Sequence, residues 1–273
     1  MLLVTLTEVA RAMLNVSLEG KRGLVTGGSS GIGLAIATAL ADAGACVCVN
    51  HRGGPERAEA AIKALSAHGS NCIRHDADVS DANAVAAMFA ELDRTWGGID
   101  FLVNNAGIDG PRALAWEAAP AAWEQVLRVN LLGPFLCARE ALRRMVPSRS
   151  GVILNITSVH ERIAWAGYSA YAASKAGLAM LTQTLAQEAA PAGVRVLALA
   201  PGAIRTPINK SVWSDPEGMK DLLTKIPLGR IGEVEDIAGM AVVLVSDVAG
   251  YVTGTSIFVD GGMTDYPSFV HGG

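Results

Sequence analysis

The eight residues Tyr-Ser-Ala-Tyr-Ala-Ala-Ser-Lys, 168–175, put two phenols and one amine into a short alanine-rich run. Residues four apart on a helix stack on one face, so Tyr171 and Lys175 lie side by side. Tyr168 shares that face, but about 10.5 Å of helical rise separates it from the lysine, too far for contact. An isolated phenol titrates near about 10 and is a poor base at neutral pH. A neighbouring ammonium favours the phenolate and draws that value down. The pair therefore suits acid–base chemistry, with Tyr171 carrying the proton; the plain alternative is a surface pair on an ordinary helix. Ser158 adds a hydroxyl thirteen residues upstream of Tyr171, at the end of an apolar run. His160 lies just past that predicted strand end, where ligands sit in open α/β sheets. A satisfied structural histidine is its plain reading.

A second constellation is Thr26-Gly-Gly-Ser-Ser-Gly-Ile-Gly33, which follows one apolar run and opens a helical one. Gly27, Gly31 and Gly33 allow a tight turn with bare backbone, and a phosphate can rest on the N–H groups at the helix start. A lone glycine turn is weak, but its place between a strand and a helix in an alternating chain points to nucleotide binding. The second strand closes with Val49-Asn50-His51-Arg52, without the acid that an NAD-selective site carries there. Arg52 suits the 2′-phosphate of NADP, since a guanidinium matches phosphate geometry; otherwise it is a solvated strand-end arginine. Ser30 stands in the turn where a second basic residue could have helped. The reading favours NADP, with NAD also accepted.

These groups need a scaffold. Apolar runs rich in β-branched residues predict strands at Arg22–Thr26, Ala45–Asn50, Cys72–Asp76, Phe101–Asn104, Gly151–Ile156, Val194–Leu199 and Ser256–Val259. Helical patterns lie near 32–43, 55–68, 81–96, 119–146, 168–190 and 233–246. Such alternation predicts an α/β fold, a single-domain doubly wound parallel sheet of about seven strands with helices on both faces. No linker divides the chain, so one domain is expected over 18–273. Residues 1–17 read as an extension, a helical turn or a frayed end, with Met13 a possible start. Segment 201–230 lacks a clear period and carries Pro207, Pro216 and Pro227; a loop of that length reads as a substrate lid.

Of the 273 residues, 51% are hydrophobic and 18% charged, with a formal net charge of −4. That suits a soluble globular protein and argues against a nucleic-acid binder, which usually carries a basic stripe. No run reaches the roughly 18 apolar residues of a membrane span. Cys46, Cys48, Cys72 and Cys137 form no CxxC pair, and Cys46 and Cys48 would share one strand face, so reduced thiols in the cytoplasm are expected. No cysteine/histidine cluster has metal-ligand spacing, and no metal is expected.

Taken together, these motifs resemble the short-chain dehydrogenase/reductase family from about residue 17 onward. Thr26–Gly33 is similar to its TGxxxGxG turn, Asp78-Val79 to its adenine-contacting pair and Asn104-Asn105-Ala106-Gly107 to its NNAG strand end. Asn130, Ser158, Tyr171 and Lys175 match its catalytic tetrad, and Pro201-Gly202 with Thr206 matches its nicotinamide turn. Within the family, the chain more closely resembles bacterial glucose 1-dehydrogenases. That likeness rests on Thr157-Ser-Val-His-Glu161, Trp165, Pro201–Asn209, Tyr251–Thr264 and the tail Tyr266-Pro-Ser-Phe269.

The resemblance implies hydride transfer between a sugar or other alcohol and NADP or NAD, with β-D-glucose the favoured substrate. Tyr171 would take the alcohol proton, Lys175 would hold the ribose and relay the proton, Ser158 would bond the substrate oxygen, and Asn130 would hold a relay water. Dinucleotide contacts would fall on Gly27, Ser29, Ser30, Gly31, Ile32, Gly33, Arg52, Asp78, Val79, Asn105, Ala106, Gly107, Tyr171, Lys175, Pro201, Gly202, Ile204 and Thr206. Substrate contacts would include His160, Glu161 and Asp109, although each carboxylate is otherwise a solvated loop residue. Asp109 replaces an expected glutamate and Arg205 an expected asparagine, which bears on the substrate. Rival readings are a 3-oxoacyl-carrier-protein reductase of the same family and a non-catalytic dinucleotide sensor. A homotetramer is implied, with the tail near a subunit interface.

Overall fold

The computed structural model describes residues 16–66, 72–207 and 213–265. Seven strands form one parallel sheet: β1 (Arg22–Val25), β2 (Cys46–His51), β3 (Ile73–Asp76), β4 (Phe101–Asn104), β5 (Gly151–Ile156), β6 (Val194–Pro201) and β7 (Ser256–Val259). Their order is β3-β2-β1-β4-β5-β6-β7. The chain thus reverses its direction of travel between β1 and β4, and ligands of open α/β sheets bind outside the strand ends at such a point.

Around the sheet lie α1 (Gly31–Asp42), α2 (Pro55–Ser66), α3 (Ala82–Trp96), α4 (Pro120–Leu127), α5 (Gly133–Ser148), α6 (Ser169–Ala189), α7 (Pro216–Leu223) and α8 (Val234–Val245). Successive strand residues point to opposite faces. Val25, Val47, Val49 and Leu154 therefore pack with Ile36 and Leu40 of α1, Leu65 of α2 and Ile237 of α8. Leu24, Cys48, Leu102 and Ile153 pack on the other face with Phe89 of α3, Cys137 of α5 and Leu185 of α6. Each buried leucine or phenylalanine contributes about 1.5–3 kcal/mol, so both faces must be covered for the sheet to hold.

Local chemistry sets the helix ends. Asp81 caps α3, its carboxylate accepting the N–H groups of Asn83 at 2.8 Å and Ala84 at 3.1 Å. Gly97 ends the same helix in the left-handed region. The single helix expected over 119–146 is broken: a π-helical turn, Arg128–Leu132, separates α4 from α5 and carries Asn130. The segment 201–230, expected without a helical period, holds a helix among its described residues. Within it, Asp215 caps α7 through Gly218 N–H at 2.9 Å, and Pro216 takes the first helical position. Proline suits that position because no intrahelical N–H is needed there.

Several expectations lie outside the described residues: most of the 1–17 extension, lid residues 208–212, and the Tyr266–Phe269 tail with its interface. All four cysteines are free thiols. No helix among the described residues is long and apolar enough to cross a membrane, and none of their His, Cys, Asp and Glu side chains form a group of three placed to hold a metal.

Candidate active site

The glycine turn joins β1 to α1 at the point where the sheet reverses. Gly27 has φ +62°, in the left-handed region. A Cβ on Gly33 would sit 2.4 Å from the Gly27 carbonyl oxygen, so only glycine lets the helix approach the turn. Asn105 ties β4 to the same turn, its side-chain amide donating to Thr26 O at 3.0 Å and Gly27 O at 3.3 Å. The Thr26 hydroxyl accepts the N–H groups of Asn105 at 2.9 Å and Ala106 at 3.0 Å. Ser30, the residue before α1, makes no side-chain cap bond, which leaves the first N–H groups of the helix facing outward. Ser29 and Ile32 flank this turn, and the Thr206 methyl lies 3.9 Å from where a Gly31 Cβ would stand. The loop after β6 thus brings Thr206 over the glycine turn. The bare backbone, the uncapped helix start and the overhanging loop fit a dinucleotide pyrophosphate.

At the far side of this cleft, Arg52 does not stand free. Its guanidinium pairs with Asp78 at 3.1 Å, both side chains remaining partly exposed. Asp78 also accepts the N–H of Ser80 at 2.9 Å and its hydroxyl at 2.6 Å. Burial tends to raise the Asp78 carboxyl, but the Ser80 and Arg52 bonds prevail and hold it below its usual value. Val79 is buried against Gly133 at the start of α5. Gly202 passes the end of β7 so closely that a Cβ would lie 2.7 Å from Asp260 Cα. Ile204 is buried and bridges to Gly232. Arg205 pairs with Glu233 at 3.0 Å and lies over the Trp213 ring.

The phenol and the amine meet at the mouth of this cleft. Lys175 is buried, its Nζ donating to Ile156 O at 2.9 Å and lying 5.6 Å from the Tyr171 ring centroid. The Ser158 hydroxyl is close enough to Tyr171 to favour the ionised phenol, and it accepts His160 N–H at 3.2 Å. Tyr171 is half-buried, and burial pushes the phenol up to about 12. Burial lowers Lys175 to about 8, against the pull of Asp109 and Glu161. The expectation that the lysine draws the phenol down is therefore not met in the protein alone. The carbonyl of Ile156 holds the amine, and desolvation governs both groups.

Asn130 is fully buried, and its side chain is committed to protein. Its Oδ1 accepts Ile108 N–H at 2.9 Å, and its Nδ2 donates to Ile108 O at 2.8 Å and to Ser174 Oγ at 3.2 Å. It clamps the strand extension that carries Gly107 and Asp109. A Cβ on Gly107 would lie 3.4 Å from Asn130 Oδ1 and 3.7 Å from Lys175 Nζ. π-Helical turns are rare and cluster at functional sites.

The remaining wall is aromatic and acidic. The His160 and Trp165 rings stack at 4.4 Å between centroids, Trp165 stacks on Tyr168 at 3.9 Å, and Tyr171 meets Trp165 edge-on at 5.8 Å. His160 Nδ1 lies 3.0 Å from Ile163 O, which can only accept, so Nδ1 carries the proton and Nε2 is left as an acceptor. Burial lowers the imidazole and raises the Asp109 carboxyl, with Lys175 and His160 opposing the latter. One buried carboxylate oxygen of Glu161 has no hydrogen-bond partner. Beyond Asp109, Pro111, Ala113, Ala119, Trp123 and Val126 line a slot that reaches Tyr168.

Sequence reasoning missed several supports. Asn104 donates to Asn155 at 2.9 Å, and Asn155 to Thr182 at 2.8 Å, tying β4, β5 and α6 beneath the site. Asn50 bonds Ala77 O at 2.9 Å and so joins β2 to the loop after β3. Polar residues at the ends of otherwise apolar strands were the available signal.

A family model described as enoyl-(acyl carrier protein) reductase matches residues 27–264. A 3beta-hydroxysteroid dehydrogenase 1 of Eggerthella lenta is 44% identical over 262 residues, covering 93% of this chain and 98% of that protein. A glucose 1-dehydrogenase 2 of Bacillus subtilis is 39% identical over 252 residues, covering 92% and 97% respectively. The crystal structure of a gluconate 5-dehydrogenase from Burkholderia cenocepacia, in complex with NADP and tartrate, superposes with a TM-score of 0.88. It is 36% identical, over 93% of this chain and 99% of that one.

Proposed function

The chain belongs to the short-chain dehydrogenase/reductase family and is an NAD(P)-dependent oxidoreductase, and from that premise we propose that it oxidises β-D-glucose to D-glucono-1,5-lactone with NADP, NAD also being accepted. The observation that carries the substrate is the buried, unpartnered carboxylate oxygen of Glu161, which follows His160 of the ring stack and, like Asp109, acts on the Lys175 amine. An unsatisfied buried acceptor costs about 1–3 kcal/mol, which a substrate hydroxyl would remove. A sugar offers several hydroxyls and an apolar ring face for the aromatic wall. A carboxylate substrate such as gluconate would instead meet the negative charge of Asp109 and Glu161.

In this reading Ser158 orients the substrate hydroxyl toward Tyr171, which accepts its proton, and Lys175 passes that proton onward. A bound, oxidised nicotinamide dinucleotide would supply the hydride acceptor for the substrate carbon and a positive charge that favours the phenolate. Gly27 to Gly33 hold its phosphates, with Asp78, Val79, Asn105, Ala106, Gly107, Pro201, Gly202, Ile204 and Thr206 lining the rest of its path. Asn130 is a positioning residue for Asp109 and Gly107; its side-chain bonds leave the proposed relay water to other groups. We further propose a cytoplasmic homotetramer.

The apolar slot beyond Asp109 favours a second reading, a secondary alcohol on a bulky apolar ring system such as a 3β-hydroxysteroid. The family model's description keeps a carrier-bound acyl substrate in view as a third. The test is turnover of β-D-glucose, gluconate, a 3β-hydroxysteroid and a 3-oxoacyl thioester, each with both dinucleotides, by wild type and Glu161→Gln. Glucose should give the highest kcat/KM and lose at least about tenfold in the variant, as one lost charged hydrogen bond predicts. A higher kcat/KM for the steroid, unchanged in the variant, would establish the second reading instead.

A further inference from the structure

We propose that Met263 is a positioning residue for hydride transfer: its thioether sulfur, by accepting the Ala203 N–H, sets how far the Pro201–Thr206 turn reaches over the nicotinamide ring. The inference rests on the dinucleotide path proposed above and adds to it a residue from outside that path. Pro201 and Val259 are register partners at the ends of β6 and β7. The loops that follow therefore leave adjacent strands at the edge where ligands of open α/β sheets bind. They stay in contact beyond the strands. Gly202 N–H donates to Val259 O at 3.0 Å, and Ala203 N–H donates to Met263 Sδ at 3.3 Å.

On its other side the turn is held by oxygen acceptors. Gly232 N–H donates to Ala203 O at 2.9 Å, and Arg205 N–H donates to Gly232 O at 2.8 Å. A Cβ on Gly232 would stand 2.5 Å from Ile204 Cδ1, so bare backbone packs on that side chain. Trp213 Nε1 donates to Thr206 O at 3.0 Å and closes the far end. A thioether is a weaker acceptor than any of these carbonyls. Methionine is also unbranched, with three rotatable bonds, and adapts to the space it is given. The sulfur is thus the softest of these holds, and the one a side-chain substitution can tighten or remove.

The segment that presents the sulfur is itself firmly placed. The Asp260 carboxylate accepts Gly262 N–H at 2.8 Å, Thr264 N–H at 2.8 Å and the Thr264 hydroxyl at 2.7 Å. Gly261 and Gly262, with φ +63° and +91°, let the chain double back. Behind it, Leu228 N–H donates to Gly261 O at 3.0 Å. Cβ atoms on Gly261 and Gly262 would lie 2.8 Å from Ile226 Cγ2 and 3.0 Å from Pro227 Cγ. The turn after β7 is therefore wedged between residues 226–228 and the cofactor turn, with Met263 reaching to Ala203. The glycine turn and the end of β3 hold the rest of the proposed path. Moving the Pro201–Thr206 turn should then cost rate rather than affinity, because hydride transfer depends on the close placement of the reacting atoms.

The test compares wild type with Met263→Leu, which keeps the bulk but loses the acceptor, and Met263→Gln, which puts an oxygen in its place. In the cofactor-free protein, the Ala203 amide should exchange with solvent at least about tenfold faster in Met263→Leu and near the wild-type rate in Met263→Gln. Both variants should bind NADPH within about threefold of wild type, while the emission of the bound reduced nicotinamide should change in Met263→Leu. With NADP and β-D-glucose carrying deuterium at C1, kcat should fall about tenfold in Met263→Leu and the isotope effect on it should rise. KM for NADP should hold, and Met263→Gln should recover most of the lost rate. If Met263→Leu does not fold, methyl-labelled methionine in wild type gives the answer by NMR: the Met263 signal should shift when NADPH is added. Wild-type amide exchange and wild-type emission in Met263→Leu, or an unmoved Met263 signal, would overturn the proposal. These three readings need no substrate, so an absence of glucose turnover alone would count against the substrate and not against Met263. Failure of wild type to bind NADPH would remove the cleft assignment and the role of Met263 with it.

Discussion

At the residue scale, a phenol and an amine sit in a buried site that disfavours charge on both. Tyr171 is raised to about 12 and Lys175 lowered to about 8. The protein alone is therefore poised with a neutral phenol, and the Ser158 hydroxyl is the neighbouring group that favours its ionised form. Ser158 also holds His160 N–H, so one hydroxyl positions the proton carrier and the aromatic wall together. Ser158→Ala should lower kcat by about 10²-fold, the usual effect of losing one donor to a reacting oxygen, with dinucleotide affinity unchanged. Steady-state kinetics and a binding titration check this; unchanged kcat would contradict the role. Oxidation should also quicken as pH rises from neutral to alkaline, because the proton acceptor is the ionised phenol. A pH–rate profile that falls over that range would contradict it.

At the scale of elements, the π-helical turn between α4 and α5 presents Asn130 to the strand extension after β4. Asn130→Ala would strip Ile108 of partners for both its N–H and its carbonyl. A loss of about 1–3 kcal/mol in chemical denaturation is expected, with a fall in kcat as Asp109 and Gly107 lose their anchor. Unaltered stability and kcat would show that the clamp is idle. The sequence made Tyr171 and Lys175 legible because four-residue spacing is a short-range rule, and the glycine turn because its backbone demands are local. The break at Asn130 was hidden, since nothing in Arg-Val-Asn-Leu-Leu marks a widened turn. The pairing of Arg52 with Asp78 was hidden for another reason: the two lie 26 residues apart and meet only once β2 and β3 are side by side. α7 was missed because three prolines read as breakers, although Pro216 stands where a helix accepts one. The unpartnered Nε2 of His51 and carboxylate oxygen of Glu161 are likewise properties of packing: which polar atom is left without a partner depends on everything around it.

At the scale of the molecule, the site's displaced titrations should show in global stability. Lys175 titrates near 8 in the fold and near about 10.4 when unfolded. Between those values the unfolded chain binds more protons, so stability rises with pH across about 8 to 10.4 and is lost as pH falls through 8. Tyr171 acts oppositely in a higher window. Its folded value near 12 exceeds the unfolded value of about 10, so its contribution is full below about 10 and declines above it. Denaturation of the cofactor-free protein should show the first rise, and Lys175→Met should flatten it; a rise that persists in the variant would assign it elsewhere. The exposed Trp123, Leu132, Phe135 and Met180 on α4, the π-turn, α5 and α6 offer apolar surface for the proposed tetramer. Sedimentation should give four chains per particle, and a stable active monomer would contradict that.

The most direct measurement is reduction of NADP by β-D-glucose, followed at the absorbance of the reduced nicotinamide, in wild type and Tyr171→Phe. Wild type should turn over, and the variant should bind NADP with unchanged affinity while losing at least about 10³-fold in kcat, within the range for a removed general base. Turnover in the variant equal to wild type would contradict the account.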